Sequence, residues 1–204
     1  MMDHRIDSID QLQALYGQPA DMALAKETHT INPLYRRLIE SAPFFAIATN
    51  SADGLDVSPR GDSAGFVRIL DERTIAFPDR RGNNRLDTLR NIVETPSVAL
   101  LFLIPGLELT LRYNGRAHVS TWPKLLESMQ VEGKAPVTAI VVELDRLFFQ
   151  CARALKRSKL WDLSSQLDPK TLPSAGQLTK SAMPAFDDRA YDAELEERQN
   201  RTLY

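Results

Sequence analysis

Between Phe44 and Leu144 short strand-like runs follow one another across turn signals, with few helices between them, and that pattern constrains the fold more than any other feature of the chain. Phe44-Phe45-Ala46-Ile47-Ala48-Thr49 is a buried-strand run. Asp53-Gly54 is a strong hairpin signal, and Leu55-Asp56-Val57-Ser58 returns as a strand into Pro59-Arg60-Gly61-Asp62. Phe66 to Leu70 and Thr74 to Phe77 form the next pair, turned at Asp71-Glu72. Ser97 to Ile104 and Leu107 to Ser120 are longer strands separated by Pro105-Gly106, and Thr138 to Leu144, continuing toward Phe149, is the last. Strands in hairpin succession with few helices between them predict an antiparallel barrel, not a βαβ sheet. Asn114-Gly115 interrupts a strand that otherwise continues, so it reads as a bulge where glycine lets the strand bend. Leu107 to Ser120, apolar on one face, reads as an edge strand that needs a partner chain or a closure.

The flanks are helical. Ser8-Ile9-Asp10-Gln11 matches a capping box, with Ile9, Leu12, Leu15 and Tyr16 on one face and Gly17 as a stop. A second short helix spans Asp21 to Glu27. Asn32-Pro33 opens a third through Leu34, Tyr35, Leu38 and Ile39, ended by Pro43. Trp122 to Val131 is a helix with Trp122, Leu125, Leu126 and Met129 on one face. A charged helix is expected near Asp192 to Arg201. The expected organisation is one domain over 1–204: a helical extension (1–42), a barrel core (43–165) and a peripheral tail (166–204).

One loop stands out chemically. After Phe77-Pro78 come Asp79-Arg80-Arg81-Gly82-Asn83-Asn84-Arg85, and then a helix whose Leu86, Leu89 and Val93 share a face before Pro96 stops it. Cations at a helix N-terminus oppose the macrodipole at about 0.3–1 kcal/mol each. Arg80, Arg81 and Arg85 all sit there. An anion held among them and the free N–H groups of the first turn accounts for the pattern, as does a merely solvated basic loop. A second basic cluster, Cys151 to Trp161, holds Arg153, Lys156, Arg157 and Lys159 beside an indole. It reads either as a solvated face or as a site for an aromatic anion.

Composition excludes several classes. A formal charge of −2 and a pI near 6.0 argue against a dedicated nucleic-acid binder, because the cations are local rather than a broad field. Cys151 is the single cysteine, so there is no intrachain disulfide and no zinc spacing, which fits a reducing cytoplasm. No N-terminal signal pattern is recognisable, and the longest apolar run, Val98 to Pro105, is too short to cross a membrane. No G-x-G-x-x-G follows a strand and no G-x-S-x-G elbow is present. His4, His29 and His118 lack ligand spacing; His118, on a strand, is either structural or a metal or haem ligand.

Four ordered segments carry a resemblance: Val57 to Asp62, Phe77 to Arg90, Pro96 through Leu101-Phe102 to Ala117, and Arg157-Ser158-Lys159-Leu160-Trp161. From about Ile31 to Trp161 the chain resembles the pyridoxamine 5′-phosphate oxidase-like family of FMN-binding split barrels, and within it a bacterial subgroup of unassigned substrate. The resemblance implies a mainly β (α+β) fold, a six-stranded antiparallel split barrel with peripheral helices, and a homodimer with FMN in clefts between subunits. It implies that Arg81, Asn83, Asn84 and Arg85 receive the FMN phosphate and that Ser58 and Arg60 approach the phosphate and ring. Phe77-Pro78 would lie along the flavin, with Pro78 replacing a threonine. Thr110 would contact FMN from the partner subunit, and Arg157 and Trp161 would touch the ring or ribityl chain. For Trp161 a core-plug position is the competing expectation. The C-terminal arginine- and histidine-bearing motif of the true oxidases is not recognisable, which argues against pyridoxamine phosphate as substrate.

The function these features imply is an FMN-dependent oxidoreductase acting on an unidentified small molecule. The flavin would bring the redox chemistry, and the sequence names no catalytic acid or base. A flavin- or haem-binding storage or sensor protein without turnover is the alternative. No nucleic acid or membrane partner is expected.

Overall fold

The structure, a computed structural model, describes residues 4–204. Among these residues seven strands form one sheet: β1 (Phe44–Ser51), β2 (Gly54–Gly61), β3 (Arg68–Ile69), β4 (Thr74–Asp79), β5 (Ser97–Leu103), β6 (Leu109–Ser120) and β7 (Thr138–Cys151). Their order is β2-β1-β5-β6-β7-β4-β3, and every pairing is antiparallel. Seven strands match the seven runs read in the sequence and are one more than the resemblance implies; the run Phe66 to Leu70 shortens to Arg68 and Ile69, which pair with Ala76 and Ile75 as an edge piece. The first hairpin turns one residue early, with Ser51 opposite Gly54.

The sheet is rolled up. β1 and β4 stand four positions apart in the strand order, which in a flat sheet would separate them by roughly 19 Å. Instead Phe45 of β1 meets Phe77 of β4 edge-on at 4.8 Å between ring centroids, and stacks on Phe66 at 5.7 Å. Only closure of the sheet on itself brings those rings together. The interior so formed holds Ile47, Ile75, Leu100, Phe102, Leu111, Ile140 and Leu144, all essentially without exposure. Tyr113 lies inside as well, and its hydroxyl donates to the Arg73 carbonyl at 2.9 Å. Burial pushes that phenol far above its ordinary value, so it stays a donor.

β6 is not an edge. It lies between β5 and β7, so its length is satisfied within the chain, and the edges belong to β2 and β3. The register shift at Asn114/Gly115 is the expected bulge. A Cβ on Gly115 would collide with the Glu143 carbonyl oxygen.

Among the described residues eight α-helices flank the sheet: α1 (Ile9–Tyr16), α2 (Asp21–Ala25), α3 (Pro33–Ser41), α4 (Asp87–Glu94), α5 (Pro123–Ser128), α6 (Arg153–Ser158), α7 (Ala175–Ala182) and α8 (Asp188–Arg201). Asn32 caps α3, which inserts Tyr35 and Ile39 under the barrel. α5 packs Leu125 and Met129 on the outer face of β4 and β7, against Ala76, Ala139 and Val141. Those two strands are therefore buried on both faces and read as continuous apolar runs. Trp122 caps α5 in solvent instead of joining its apolar face. In α1 the Ser8 hydroxyl accepts from the Gln11 N–H, but Ile9, Leu12, Leu15 and Tyr16 are all exposed. No helix among the described residues is long and apolar enough to cross a membrane.

α4 departs from its sequence pattern. Leu86 and Val93 are exposed, and the inward face is Thr88, Asn91 and Ile92 with Leu89 half-buried. Asn91 Nδ2 donates to Thr49 Oγ1 of β1 at 2.9 Å in the interior. A satisfied polar pair thus takes the place an apolar stripe would have filled, and it pins the helix to the barrel.

Candidate functional site

The C-terminal ends of β2 and β4, the start of β7 and the N-terminus of α4 converge on a cleft of about 850 Å³. The chain enters it through Pro78-Asp79 and crosses it as loop 80–86. Asn83 Oδ1 accepts the Arg85 N–H at 3.1 Å, and Asn84 and Leu86 are left-handed at φ 59° and 61°. For leucine that conformation costs about 1–2 kcal/mol. Leu86 is also the N-cap residue of α4 and supplies no side-chain acceptor. The first-turn N–H groups of α4 therefore face the cleft without a cap, at the positive end of the helix.

The arginines divide into separate roles. Arg80 Nε donates to Asp62 Oδ2 at 2.8 Å, Arg80 Nη1 to the Met129 carbonyl at 3.0 Å, and its guanidinium lies 5.3 Å from the Tyr204 ring. Arg85 pairs with Asp87 at 2.8 Å on the exposed rim. Arg81 is exposed and makes no hydrogen bond or ion pair among the described residues. Arg60, on β2, is mostly buried: Nη1 donates to the Pro59 carbonyl at 2.8 Å, and Nη2 lies 3.7 Å from Asp79 Oδ1. Desolvation outweighs the attraction of Asp79 and Asp56 and holds the Arg60 guanidinium below its ordinary range. The same desolvation raises the Asp79 carboxyl against the pull of Arg60.

Two buried side-chain polar atoms among the described residues lack any partner, Arg60 Nε and Thr138 Oγ1. Both residues line this cleft. Thr138 opens β7 directly opposite Asp79 of β4, whose carboxylate lies 3.7 Å from Arg60 Nη2, so Asp79 brings the two residues to one wall. Leaving such groups unpaired costs about 1–3 kcal/mol each, more when charged. Both atoms are covered in this structure, so a ligand with acceptor atoms on that wall would remove the cost once a side-chain rotation turned them toward the cleft.

Seven of the residues expected at the site meet here: Ser58, Arg60, Pro78, Arg81, Asn83, Asn84 and Arg85. Ser58 Oγ is engaged with Asp56 Oδ2 at 3.1 Å. Phe77 does not line the cleft, because strand alternation turns its ring into the core beside Phe45 while Pro78 faces outward. Thr110, Arg157 and Trp161 lie at the opposite end of the chain's longest strands. Thr110 sits opposite Gln150, roughly 40 Å of strand from Thr138. Trp161 Nε1 donates to the Leu107 carbonyl at 3.1 Å, and its half-buried ring lines a smaller recess of about 340 Å³ with Glu108, Lys156 and Lys159. Arg157 is exposed in the last turn of α6. Within one chain these three cannot join the other seven.

Sequence reasoning missed Thr138, Lys134, Pro136, Val137 and Tyr204. The first four form the approach to β7 and carry no motif. Tyr204 belongs to the stretch read as peripheral, yet its hydroxyl donates to Asp62 Oδ1 at 2.8 Å. No group of three or more His, Cys, Asp or Glu among the described residues is placed to hold a metal ion. His118 is exposed on β6, and His29 Nδ1 lies 2.6 Å from the Asp145 carbonyl.

Solved structures resembling this chain include the HupZ protein of Group A Streptococcus, 20% identical over 60% of this chain and 95% of that one, with a TM-score of 0.49. A protein from Clostridium acetobutylicum related to general stress protein 26, of the pyridoxinephosphate oxidase family, is 12% identical over 57% of this chain and 84% of that one, with a TM-score of 0.42. The FAD binding protein from Mycobacterium smegmatis is 13% identical over 60% of this chain and 97% of that one, with a TM-score of 0.43. No curated protein matches the sequence. The sequence profile described as pyridoxamine 5′-phosphate oxidase matches residues 31–151, from two residues before α3 to the end of β7 and more than half of the chain. The chain belongs to the pyridoxamine 5′-phosphate oxidase family.

Proposed function

We propose that the cleft holds FMN and that the protein is an FMN-dependent oxidoreductase acting on a small molecule, the rolled sheet being a split barrel. The observation that carries this reading is the pair of orphaned buried polar atoms, Arg60 Nε and Thr138 Oγ1, on one cleft wall. The donors fit the group. Arg81, Asn84, Arg85 and the uncapped N–H groups of α4 suit a phosphate. Pro59, Pro78, Pro136 and Val137 give the apolar flanks that a planar ring requires, and the volume lies in the range of small-molecule sites.

A bound flavin supplies the electron transfer. The chain's own part is to bind, orient and tune. Arg60 would donate through Nε, and Thr138 through its hydroxyl, to acceptors along the ligand. The desolvated Arg60 charge would also favour whichever ligand state carries more negative charge on that wall. Loop 80–86 would fix the phosphate end, and hence the depth at which the ring sits.

Thr110, Arg157 and Trp161 enter this reading only from a second copy. We propose a homodimer in which they reach the neighbour's cleft, which gives a role to a half-buried indole and an unpaired arginine far from their own. The support is the family membership and the incompleteness of the single-chain site.

The experiment is to purify the chain, identify any released chromophore, and titrate the ligand-free protein with FMN. Stoichiometric uptake supports the reading, and no uptake at any concentration refutes it. Reduction by NADH or NADPH followed by reoxidation with a candidate acceptor tests for turnover. Tight FMN binding with no turnover would leave a storage or sensing role.

A further inference from the structure

The cleft has one wall made by the tail. α8 runs back along the molecule and delivers Tyr204 beside β2 and β4, about 140 residues further along the chain than Asp62. Tyr204 makes three contacts there. Its hydroxyl donates to Asp62 Oδ1 at 2.8 Å, its ring lies 5.3 Å from the Arg80 guanidinium, and its carbonyl accepts from Lys134 Nζ at 3.2 Å. Asp62 is the hub. Its side chain is 4% exposed and also accepts from the Ser63 N–H at 2.7 Å and Arg80 Nε at 2.8 Å. A buried carboxylate with that many donors is a fixed point.

What this fixed point immobilises is specific. Asp62 follows Arg60 by two residues, and Arg80 immediately precedes Arg81. The Asp62–Arg80 pair therefore ties together the two backbone segments that carry Arg60 and Arg81. Arg80 lines the cleft, but the pair commits its charge to Asp62 and so lessens its competition for the same anion. Lys134 anchors the third wall to the same tyrosine.

We infer that Tyr204 is a positioning residue: it straps the tail across the cleft and, through Asp62 and Arg80, holds loop 80–86 in its ligand-ready shape, so that tail docking and ligand binding are coupled. The loop's ligand is the one proposed above, and the inference rests on that reading for the ligand's identity alone. Coupling of this kind is reciprocal, so a docked tail tightens the ligand and a bound ligand holds the tail down. Lys180, Arg189, Arg198 and Arg201 give trypsin access to the tail when it lifts.

The test is amide hydrogen exchange of the ligand-free protein in the wild type, Tyr204→Phe and Tyr204→Ala, with FMN titration of each. Exchange at residues 80–87 is expected to rise about tenfold in Tyr204→Ala and about threefold in Tyr204→Phe, which keeps the ring over Arg80, with β6 and β7 unchanged. FMN affinity is expected to fall about tenfold in Tyr204→Ala, and saturating FMN to slow tryptic cleavage of the wild-type tail by a similar factor. Unchanged exchange at 80–87 in Tyr204→Ala overturns the inference. So does an equal rise throughout β6 and β7, which would mark a general loss of stability. A response of the loop in a protein that takes up no FMN upholds the strap and refutes the cofactor assignment.

Discussion

The two basic stretches of this chain carry the same number of cations and meet opposite fates. Arg80, Arg81, Arg85 and Arg90 surround the N-terminus of α4, whereas Arg153, Lys156, Arg157 and Lys159 occupy α6 and its C-cap. Positive charge at a helix C-terminus, where Lys156, Arg157 and Lys159 stand, complements the macrodipole and needs no further partner; at an N-terminus, where Arg153 alone of the second stretch stands, it does not. The second stretch is accordingly self-contained. Lys156 pairs with Glu108 at 2.8 Å, Trp161 donates to the Leu107 carbonyl, and the Lys159 N–H closes α6. The first keeps a bare arginine, an uncapped helix and two orphaned atoms across the cleft. Charge density in a sequence is thus a poor guide to a site. Unspent hydrogen-bonding capacity is a better one.

The sharpest way to break the contrast is Arg60→Met. It removes a charge-assisted donor from the proposed ligand while deleting an unsatisfied buried atom. FMN affinity is expected to fall about ten- to a hundredfold, with the thermal midpoint of the ligand-free protein little changed, because the orphaned Nε is lost together with the Pro59 hydrogen bond and the Asp79 pair. Isothermal titration and a melt of the same sample check both arms. A lower midpoint with unchanged affinity would show Arg60 to be structural.

Next in size is Arg81→Ala combined with Asn84→Gly, which removes two exposed donors while keeping the left-handed backbone at 84. A loss of about tenfold in FMN affinity is expected, without change in stability. Equal affinity in the double variant would reduce loop 80–86 to a solvated rim.

The self-contained region should respond only through a neighbour. Trp161→Phe is expected to weaken FMN binding by about two- to tenfold, the worth of one aromatic contact, at protein concentrations where the dimer forms, and not at all on dilution to monomer. With Trp122→Phe as background, Trp161 fluorescence should be quenched by FMN under the same condition. Sedimentation at each concentration supplies the oligomeric state. An effect of Trp161→Phe that persists in a monomer would mean the chain bends far from the shape described.

The smallest expected effect is one of pH. Burial would raise the Asp62 carboxyl, but hydrogen bonds from Tyr204, Ser63 and Arg80, with the Arg80 charge, hold it below its ordinary value. The folded state therefore binds fewer protons than the unfolded chain. That contribution is present above about pH 4, the unfolded carboxyl value, and is lost as pH falls through the lower folded one. Asp62→Asn should flatten this part of the acid limb in denaturant titrations between about pH 2 and pH 5. An identical acid limb in the variant would discount the hub.

How much of this was legible depends on where the cause lies. Strands were readable because turn residues and alternation are local. Loop 80–86 was readable because misplaced cations are conspicuous beside a helix start. Thr138 was not, since an ordinary threonine becomes an orphan only when register sets it against Asp79. Tyr204 was not, since its partner lies far back in the chain. The α4 face was misread because periodicity cannot register a hydrogen bond between Asn91 and Thr49, 42 residues apart. β6 was misread as an edge because the strand that covers it comes later in the chain.

That buried Asn91–Thr49 bond has a consequence for how the protein could diverge or be redesigned. It fastens the helix beneath the cleft to the barrel from below, independently of everything above it. Residues 80–86 can therefore lengthen, shorten or change charge while the floor they close over keeps its place. A library confined to those positions would explore new ligands on a constant foundation, whereas one that touched Thr49 or Asn91 would be sampling foundations instead.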